Sequence, residues 1–343
     1  MEYSKLSDYD YHLPPELIAQ EPLLQRDKSR MLVLNRWNKS TEHTTFNQLP
    51  AYLQTGDLLV LNNTRVIPAR LIGKIPGRAT DVELLLLHKL ANGNWVAMAK
   101  PGRKLKPGTK VKMAYAVEAY IVDYVDDDLR EVQFSAPEPF EQILPRLGKV
   151  PLPPYIKKEV EDPAQYQTIY ATEDGSAAAP TAGFHFTDTV FKALQEKGIT
   201  WTFITLHIGP GTFQPVKVED IRDHVMHQEY FRIDSATASQ LNRAREGGRR
   251  IIAVGTTACR VLETAADSAG IFKAQEGWSG LYIYPGFTFR AVDAMLTNFH
   301  LPHSSLLMLV TALAGYKAIM SAYREAVEKK YRFFSFGDCM LIL

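Results

Sequence analysis

Residues able to do chemistry gather in a few short runs of this 343-residue chain. Thr205-Leu206-His207-Ile208-Gly209-Pro210-Gly211-Thr212-Phe213 reads as an apolar strand running into a glycine turn. In open α/β sheets ligands bind beyond the carboxyl ends of strands, which makes His207 a candidate; a hydrogen-bonded core histidine has the same pattern. Gly255-Thr256-Thr257 follows a short apolar strand and opens a helix. A helix start offers unpaired N–H groups and a positive dipole end, so it suits a carboxylate or phosphate. Thr256 and Thr257 add hydroxyls there and Arg260 lies in the first turn, although an ordinary N-cap looks the same. Residues 179–187, Ala-Pro-Thr-Ala-Gly-Phe-His-Phe-Thr, are dense in small residues and would let a ligand approach the backbone around Phe184 and His185. His224, His227 and Glu229 offer two imidazoles and a carboxylate. They could hold a metal, share a proton or serve structure, but they lack the helical His-Glu-x-x-His spacing. Asn298 and His300 together can position a hydroxyl or an amine, and Asp338 is a late carboxylate after a glycine.

Charge adds one further candidate. Lys and Arg number 39 against 38 Asp and Glu, a near-zero balance that excludes a generally polycationic protein. A local basic stretch does occur: Lys100, Arg103, Lys104, Lys106, Lys110 and Lys112, with no acid between them. Basic loops on a small β module can track a phosphate backbone; a solvated hairpin is the plain alternative. Two cysteines cannot build a disulfide framework, an iron–sulfur cluster or a cysteine-rich zinc site, and they suit a reduced, cytoplasmic setting. No signal-peptide pattern opens the chain, and the longest apolar run, 306–315, is too short to span a bilayer, so no membrane role is expected. Neither a P-loop nor a G-x-G-x-x-G fingerprint is found.

The elements that must position these residues have two textures. Residues 31–34 and 58–61 are apolar and predict buried strands. From 66 to 134, six strand-like stretches (66–75, 82–88, 95–99, 109–113, 119–125 and 131–134) alternate with Pro-Gly, Asn-Gly and Asp-rich separators, which predicts a small β-barrel or sandwich. Residues 136–156 hold six prolines and read as a connection. Beyond about 165 helix and strand alternate. Thr187 caps a helix ending near Gly198, 199–208 is a strand, and Ser235 caps a helix ending at Gly247. Strand 251–254, a helix over 259–267 and a strand over 281–284 follow. A helix is expected ahead of Thr297, and two more over 304–314 and 316–330. The fold class is therefore α/β: a mixed, partly parallel sheet domain (1–63 plus 151–343) with an inserted small all-β barrel domain (64–150) and its proline-rich return.

Eight runs together carry a resemblance. DYDYHLPPELIAQEPL, GDLLVLNNTRVIPARL, AAPTAGFHFT, TLHIGPGTFQPV, HVMHQEYF, AVGTTACR, LTNFHLPHSSLLMLV and YRFFSFGDCMLI occur in this order and span almost the whole chain. They are similar to motifs of the S-adenosylmethionine:tRNA ribosyltransferase-isomerases of queuosine biosynthesis. Ala258-Cys259 stands where that family more usually has Ser-Val, and Cys339 where Ala is common, so Cys259 is not expected to be a nucleophile.

The resemblance implies an α/β domain with an inserted barrel and a transfer reaction. The ribosyl part of S-adenosylmethionine would move, with isomerisation, onto 7-aminomethyl-7-deazaguanine at the tRNA wobble position. Epoxyqueuosine would form, and adenine and methionine would leave. The sulfonium acidifies the neighbouring C5′ protons, so such a site needs a base, a donor for departing adenine and a clamp for the methionine carboxylate. His207, His227 and His300 compete as base or acid. Thr256, Thr257 and Arg260 are expected to take the carboxylate. Gly209 and Gly211 give the cosubstrate access to backbone, with His185 nearby and Phe184 or Phe213 against adenine. Asn62, Thr64, Arg65 and Asn298 are assigned to the base or the tRNA, with Lys100, Arg103, Lys104 and Lys106. S-adenosylmethionine is expected as ribosyl donor, tRNA as partner, no metal, and a monomeric cytoplasmic protein. The alternatives are a non-catalytic RNA-binding protein and a metal-dependent hydrolase using His224, His227 and Glu229.

Overall fold

The computed structural model describes residues 2–158, 162–209 and 216–343. The chain divides into two compact units. One comprises Met1–Thr64, Pro154–Thr172 and Pro180–Leu343; the other comprises Arg65–Pro153 and Glu173–Ala179.

The first unit is built on a nine-stranded mixed sheet. Its centre holds four parallel strands in the order β12 (Thr200–Leu206), β3 (Leu58–Asn62), β14 (Ile251–Val254) and β16 (Ala294–Asn298). β3, β14 and β16 are covered on both faces and buried along their whole length, and β12 is buried over its last three residues. Antiparallel β13 (Glu229–Ile233) and β15 (Gln275–Ser279) extend one side. On the other, β17 (Cys339–Ile342) runs antiparallel to β16, β1 (Arg30–Leu34) lies parallel to β17, and β2 (Thr41–Thr45) closes the edge. From β3 the chain goes next to β12 on one side and later to β14 on the other, so the strand order reverses about β3. That reversal is where open α/β sheets carry their ligand crevice, at the carboxyl ends of the strands.

Helices α1 (Leu49–Tyr52), α3 (Asp188–Glu196), α4 (Ser235–Glu246), α5 (Thr256–Ala265), α6 (Ser305–Ala314) and α7 (Tyr316–Glu328) complete this unit. One core cluster joins Leu59, Leu61, Ile252, Val254 and Leu296 of the sheet to Val190 and Leu194 of α3. Thr187 and Ser304 cap α3 and α6 through their hydroxyls. The cap of α4 is Asp234, whose carboxylate takes the Thr237 N–H, so the expected Ser235 is the first helical residue instead. No helix among the described residues is long and apolar enough to cross a membrane.

The second unit is a closed six-stranded barrel, β10-β7-β6-β5-β8-β9. Its strands are β5 (Arg70–Lys74), β6 (Asp81–Lys89), β7 (Trp95–Lys100), β8 (Lys110–Lys112), β9 (Glu118–Tyr124) and β10 (Leu129–Ser135). Inward residues alternate as the period-two rule requires: Leu71 on β5, Val82, Leu84 and Leu86 on β6, Ala119 and Ile121 on β9. Gly73 permits closure, since a Cβ there would lie 2.6 Å from Val111 Cγ1. β4 (Thr64–Val66) and β11 (Glu173–Ser176) form a separate two-stranded sheet.

Several expectations shift. The stretch 66–75 is two strands, because β4 leaves to pair with β11 before β5 begins. The proline-rich return contains α2 (Phe140–Leu147), with Pro145 tolerated in its last turn. The helix expected over 259–267 starts at Thr256, and a strand, β16, stands where a helix was expected before Thr297. Residues 281–284 are not a strand. The ladder ends at Ser279, whose hydroxyl turns the chain by accepting the Leu281 N–H at 3.3 Å.

Candidate active site

The registers bring the chemically interesting runs to one edge of the nine-stranded sheet. β3, β12, β14 and β16 all end there, so Asn62, His207, Gly255 and Asn298 share it. The antiparallel strands add their own termini. Asn298 pairs with Cys339 and Met31 pairs with Cys339, so the segments entering β17 and β1 reach the same edge. Leu206 pairs with Phe231 and Glu229 with Ser279, which brings the start of β13 and the end of β15 there too.

His207 follows the last residue of β12. Parallel pairing of β12 with β3 stops at Asn62, whose side chain then takes over the ladder. Its Oδ1 accepts the Leu206 N–H and its Nδ2 donates to the Leu206 carbonyl, both at 3.0 Å. The same Oδ1 accepts from the Thr64 N–H at 3.2 Å. Thr64 Oγ1 in turn lies 2.8 Å from His207 Nδ1. The imidazole stacks on Tyr230, with ring centroids 5.6 Å apart, and the His207 N–H donates to the Tyr230 carbonyl. Peptide, ring plane and ring nitrogen of His207 are thus each held by a named group.

Glu229 and Arg260 form a buried ion pair, each side chain 3% exposed. The other carboxylate oxygen accepts the Gly209 N–H at 2.9 Å. Arg260 Nε and Nη2 donate to the carbonyls of Leu281 and Ser279. Arg260 is therefore committed within the protein, and Glu229 is likewise taken up rather than presented beside His224 and His227. His224 packs edge-on against Tyr282 and His227 is exposed. Groups of three or more His, Cys, Asp or Glu suited to a metal are absent among the described residues.

The α5 N-terminus lies between these features. Gly255 has a φ of 89°, a left-handed conformation that favours glycine at this sharp turn. Thr256 and Thr257 are buried, and Thr257 Oγ1 has no hydrogen-bond partner among the described residues. An orphan buried hydroxyl beside the open N–H groups of a ten-residue helix fits an anionic ligand group. Burial pushes the Cys259 thiol well up from its ordinary value, so it is no thiolate nucleophile.

A second polar chain stands at the end of β16. Asn298 Oδ1 accepts the Thr181 hydroxyl at 2.9 Å, so its Nδ2 faces His185 Nε2 at 3.3 Å. His185 Nε2 must accept, its Nδ1 carries the proton, and Ser29 Oγ lies 2.7 Å from it. Burial lowers the His185 pKa to about 4, which keeps this ring neutral. Burial likewise lowers His300 to about 3; its Nε2 meets Thr297 Oγ1 at 3.0 Å and its carbonyl accepts the Tyr11 hydroxyl. Asp338 ties the backbone N–H groups of Arg30 and Arg332 together, both at 2.8 Å. Phe184 stacks on Phe336 and meets Tyr166 edge-on, as a core aromatic does. Gly211 and Phe213 lie outside the described residues.

The barrel's basic stretch is less uniform in space than in sequence. Lys100, Arg103, Lys106 and Lys112 are exposed, but Lys104 donates to Thr80 at 2.6 Å and Lys110 pairs with Glu118. Arg65 lies 3.6 Å from Asp174. Buried Arg130 donates to the carbonyls of Gly102 and Leu105 and to those of Asp126 and Asp127. That clamp sets an acidic turn beside the basic loop.

Sequence reasoning passed over Ser29, Tyr230 and the partnership of Glu229 with Arg260. The last left a signal: an acid opening an apolar strand and a lone arginine in an apolar helix must each find a partner. Ser29 left none, since it meets His185 across 156 positions of sequence.

Known proteins resemble the chain over almost its whole length. The family model described as queuosine biosynthesis protein matches residues 6–342. A Desulfitobacterium hafniense protein named S-adenosylmethionine:tRNA ribosyltransferase-isomerase is 50% identical over 340 residues, covering 99% of this chain and all of its own length. One of the same name from Symbiobacterium thermophilum is 51% identical over the same span. The crystal structure of an S-adenosylmethionine tRNA ribosyltransferase from Thermotoga maritima aligns with a TM-score of 0.56 and 38% identity, over 98% of this chain and all of that one. By family match, full-length identity and shared fold, the chain belongs to the S-adenosylmethionine:tRNA ribosyltransferase-isomerases of queuosine biosynthesis.

Proposed function

We propose that this protein transfers and isomerises the ribosyl moiety of S-adenosylmethionine onto 7-aminomethyl-7-deazaguanine at the wobble position of tRNA. Adenine and methionine are the leaving products, and the reaction proceeds in the cytoplasm, on a monomer, without a metal. The observation that carries the site assignment is the held imidazole of His207 at the carboxyl end of β12, beside the strand reversal. A base there removes a proton from the carbon next to the sulfonium. His300 and His185 are too deeply buried to charge near neutrality, which leaves them structural roles. His227 is exposed and serves as the second acid–base group. The methionine carboxylate seats on the α5 N-terminus against Thr256 and the orphan hydroxyl of Thr257. The exposed cations of the barrel loop, Lys100, Arg103, Lys106 and Lys112, contact tRNA phosphates.

The test is incubation with S-adenosylmethionine and tRNA carrying the 7-aminomethyl base. Adenine and methionine should appear in equal amounts with the ribosyl group on tRNA. Transfer of a methyl group, or absence of adenine release, would reject the proposal. His207→Gln should abolish turnover while leaving the fold intact.

A further inference from the structure

The Glu229–Arg260 pair does more than neutralise two buried charges. Its carboxylate has two jobs at two oxygens. Oε2 meets Arg260 Nη1, and Oε1 holds the Gly209 N–H at 2.9 Å. Arg260 is itself fixed from three directions, by Glu229 and by the Leu281 and Ser279 carbonyls. Ser279 is further tied to Thr264 of α5 through their hydroxyls at 2.7 Å. The network thus joins the start of β13 and the body of α5 to the end of β15, and among the described residues it meets the segment after β12 at the Gly209 N–H.

We propose that Glu229 and Arg260 are positioning residues for His207, acting through the peptide of Gly209. This inference rests on the reading of His207 as the base. His207 is gripped from the Leu206 side by Asn62 and from the Gly209 side by Glu229, with Thr64 and Tyr230 holding the ring between. A guanidinium is suited to the task because its planar fork fixes a carboxylate in direction as well as distance. Burial removes competing water, so the carboxylate keeps one attitude. Small displacements of a reacting group cost orders of magnitude in rate, so the second grip carries weight in turnover rather than in binding.

Glu229→Asp separates this role from plain stability. It keeps a negative charge for Arg260 but draws both carboxylate oxygens back by one methylene, which takes the acceptor away from the Gly209 N–H. Adenine release at saturating S-adenosylmethionine and tRNA, per folded molecule, should fall at least tenfold, with KM for S-adenosylmethionine within threefold of the parent. A folded E229D with kcat within twofold of the parent overturns the inference. Should E229D fail to fold, Arg260→Lys, which keeps the charge and loses the fork, is read by the same thresholds. His207→Gln runs alongside. If it retains full turnover, the reading of His207 falls and takes the inference with it. If it is inactive while E229D turns over normally, the inference alone fails.

Discussion

Asn62 offers the sharpest test of how the edge is held, because one atom change reverses one of its hydrogen bonds. Its Nδ2 donates to the Leu206 carbonyl and its Oδ1 accepts from Leu206 and Thr64, all inside a fully buried site. Asn62→Asp keeps shape and both accepted bonds. Ionised, it would aim an oxygen at the Leu206 carbonyl; protonated, its O–H can donate there as the amide does. Burial raises a carboxyl by about 3 pH units, so an unfolded pKa near 3.9 becomes roughly 7 in the folded protein. Between those values the unfolded chain has lost a proton that the folded chain retains, so stability falls as pH rises. Each pH unit costs about 1.4 kcal/mol, which makes roughly 3 kcal/mol between pH 5 and pH 7. Urea unfolding of parent and N62D at pH 5, 6, 7 and 8 measures the difference. The gap should already stand at about 1.5 kcal/mol at pH 5, widen to pH 7 and level off above it. A gap that is constant with pH, or that changes by less than about 1 kcal/mol, would show that Asn62 Nδ2 does not bind the Leu206 carbonyl as described.

Gly209→Ala should fold normally, because among the described residues the nearest atom to its added Cβ, its chain neighbours aside, is a Glu229 oxygen at 4.0 Å; a raised KM for S-adenosylmethionine would then report ligand approaching that backbone, and an unchanged KM would place the ligand elsewhere. His185, lowered to about 4 by burial, contributes stability that is complete above its unfolded pKa near 6.5 and is lost as pH falls towards 4, at about 1.4 kcal/mol per unit. His185→Gln should therefore flatten the acid limb of stability between pH 6 and 4.5, and identical limbs in parent and variant would contradict the neutral ring. Reversing Lys106 and Lys112 to Glu should weaken tRNA binding and lower its salt slope by up to about 2, or roughly 0.9 per lost phosphate contact. An unchanged slope would move the tRNA surface off this loop.

The parts of the molecule visible in sequence are those set by local pattern. β1, β3 and β14 follow from short apolar runs, α3 from Thr187 and Gly198, and the barrel strands from alternation between turn residues. What escaped was set by pairing between distant segments. β17 and β16 are ordinary apolar runs whose strand character comes from pairing with each other across more than forty residues. β13 begins with an acid that belongs in a strand only because Arg260 receives it. The basic loop shows the opposite failure. Lys100 to Lys112 contains no acid in sequence, yet Arg130 folds the Asp126–Asp127 turn against it. Sequence order records neighbours along the chain, while charge acts through space.

Two asparagines make the edge rigid where a run of loops would leave it soft. Asn62 ends β3 and Asn298 ends β16, and β14 with its Gly255 turn lies between those strands. Each amide is used on both sides. Asn62 receives from and donates to Leu206, while Asn298 receives from Thr181 and faces His185 with its Nδ2. Where a parallel ladder stops, backbone groups of the last residues need new partners, and a side-chain amide supplies a donor and an acceptor from one planar group. Leucine would leave those groups unsatisfied, and a carboxylate would answer only the donors. The α5 N-terminus is therefore flanked by two fixed walls, one carrying His207 and the other His185. The proposed seat on Thr256 and Thr257 would offer a ligand groups that are already ordered, so its binding energy would not be spent on arranging them.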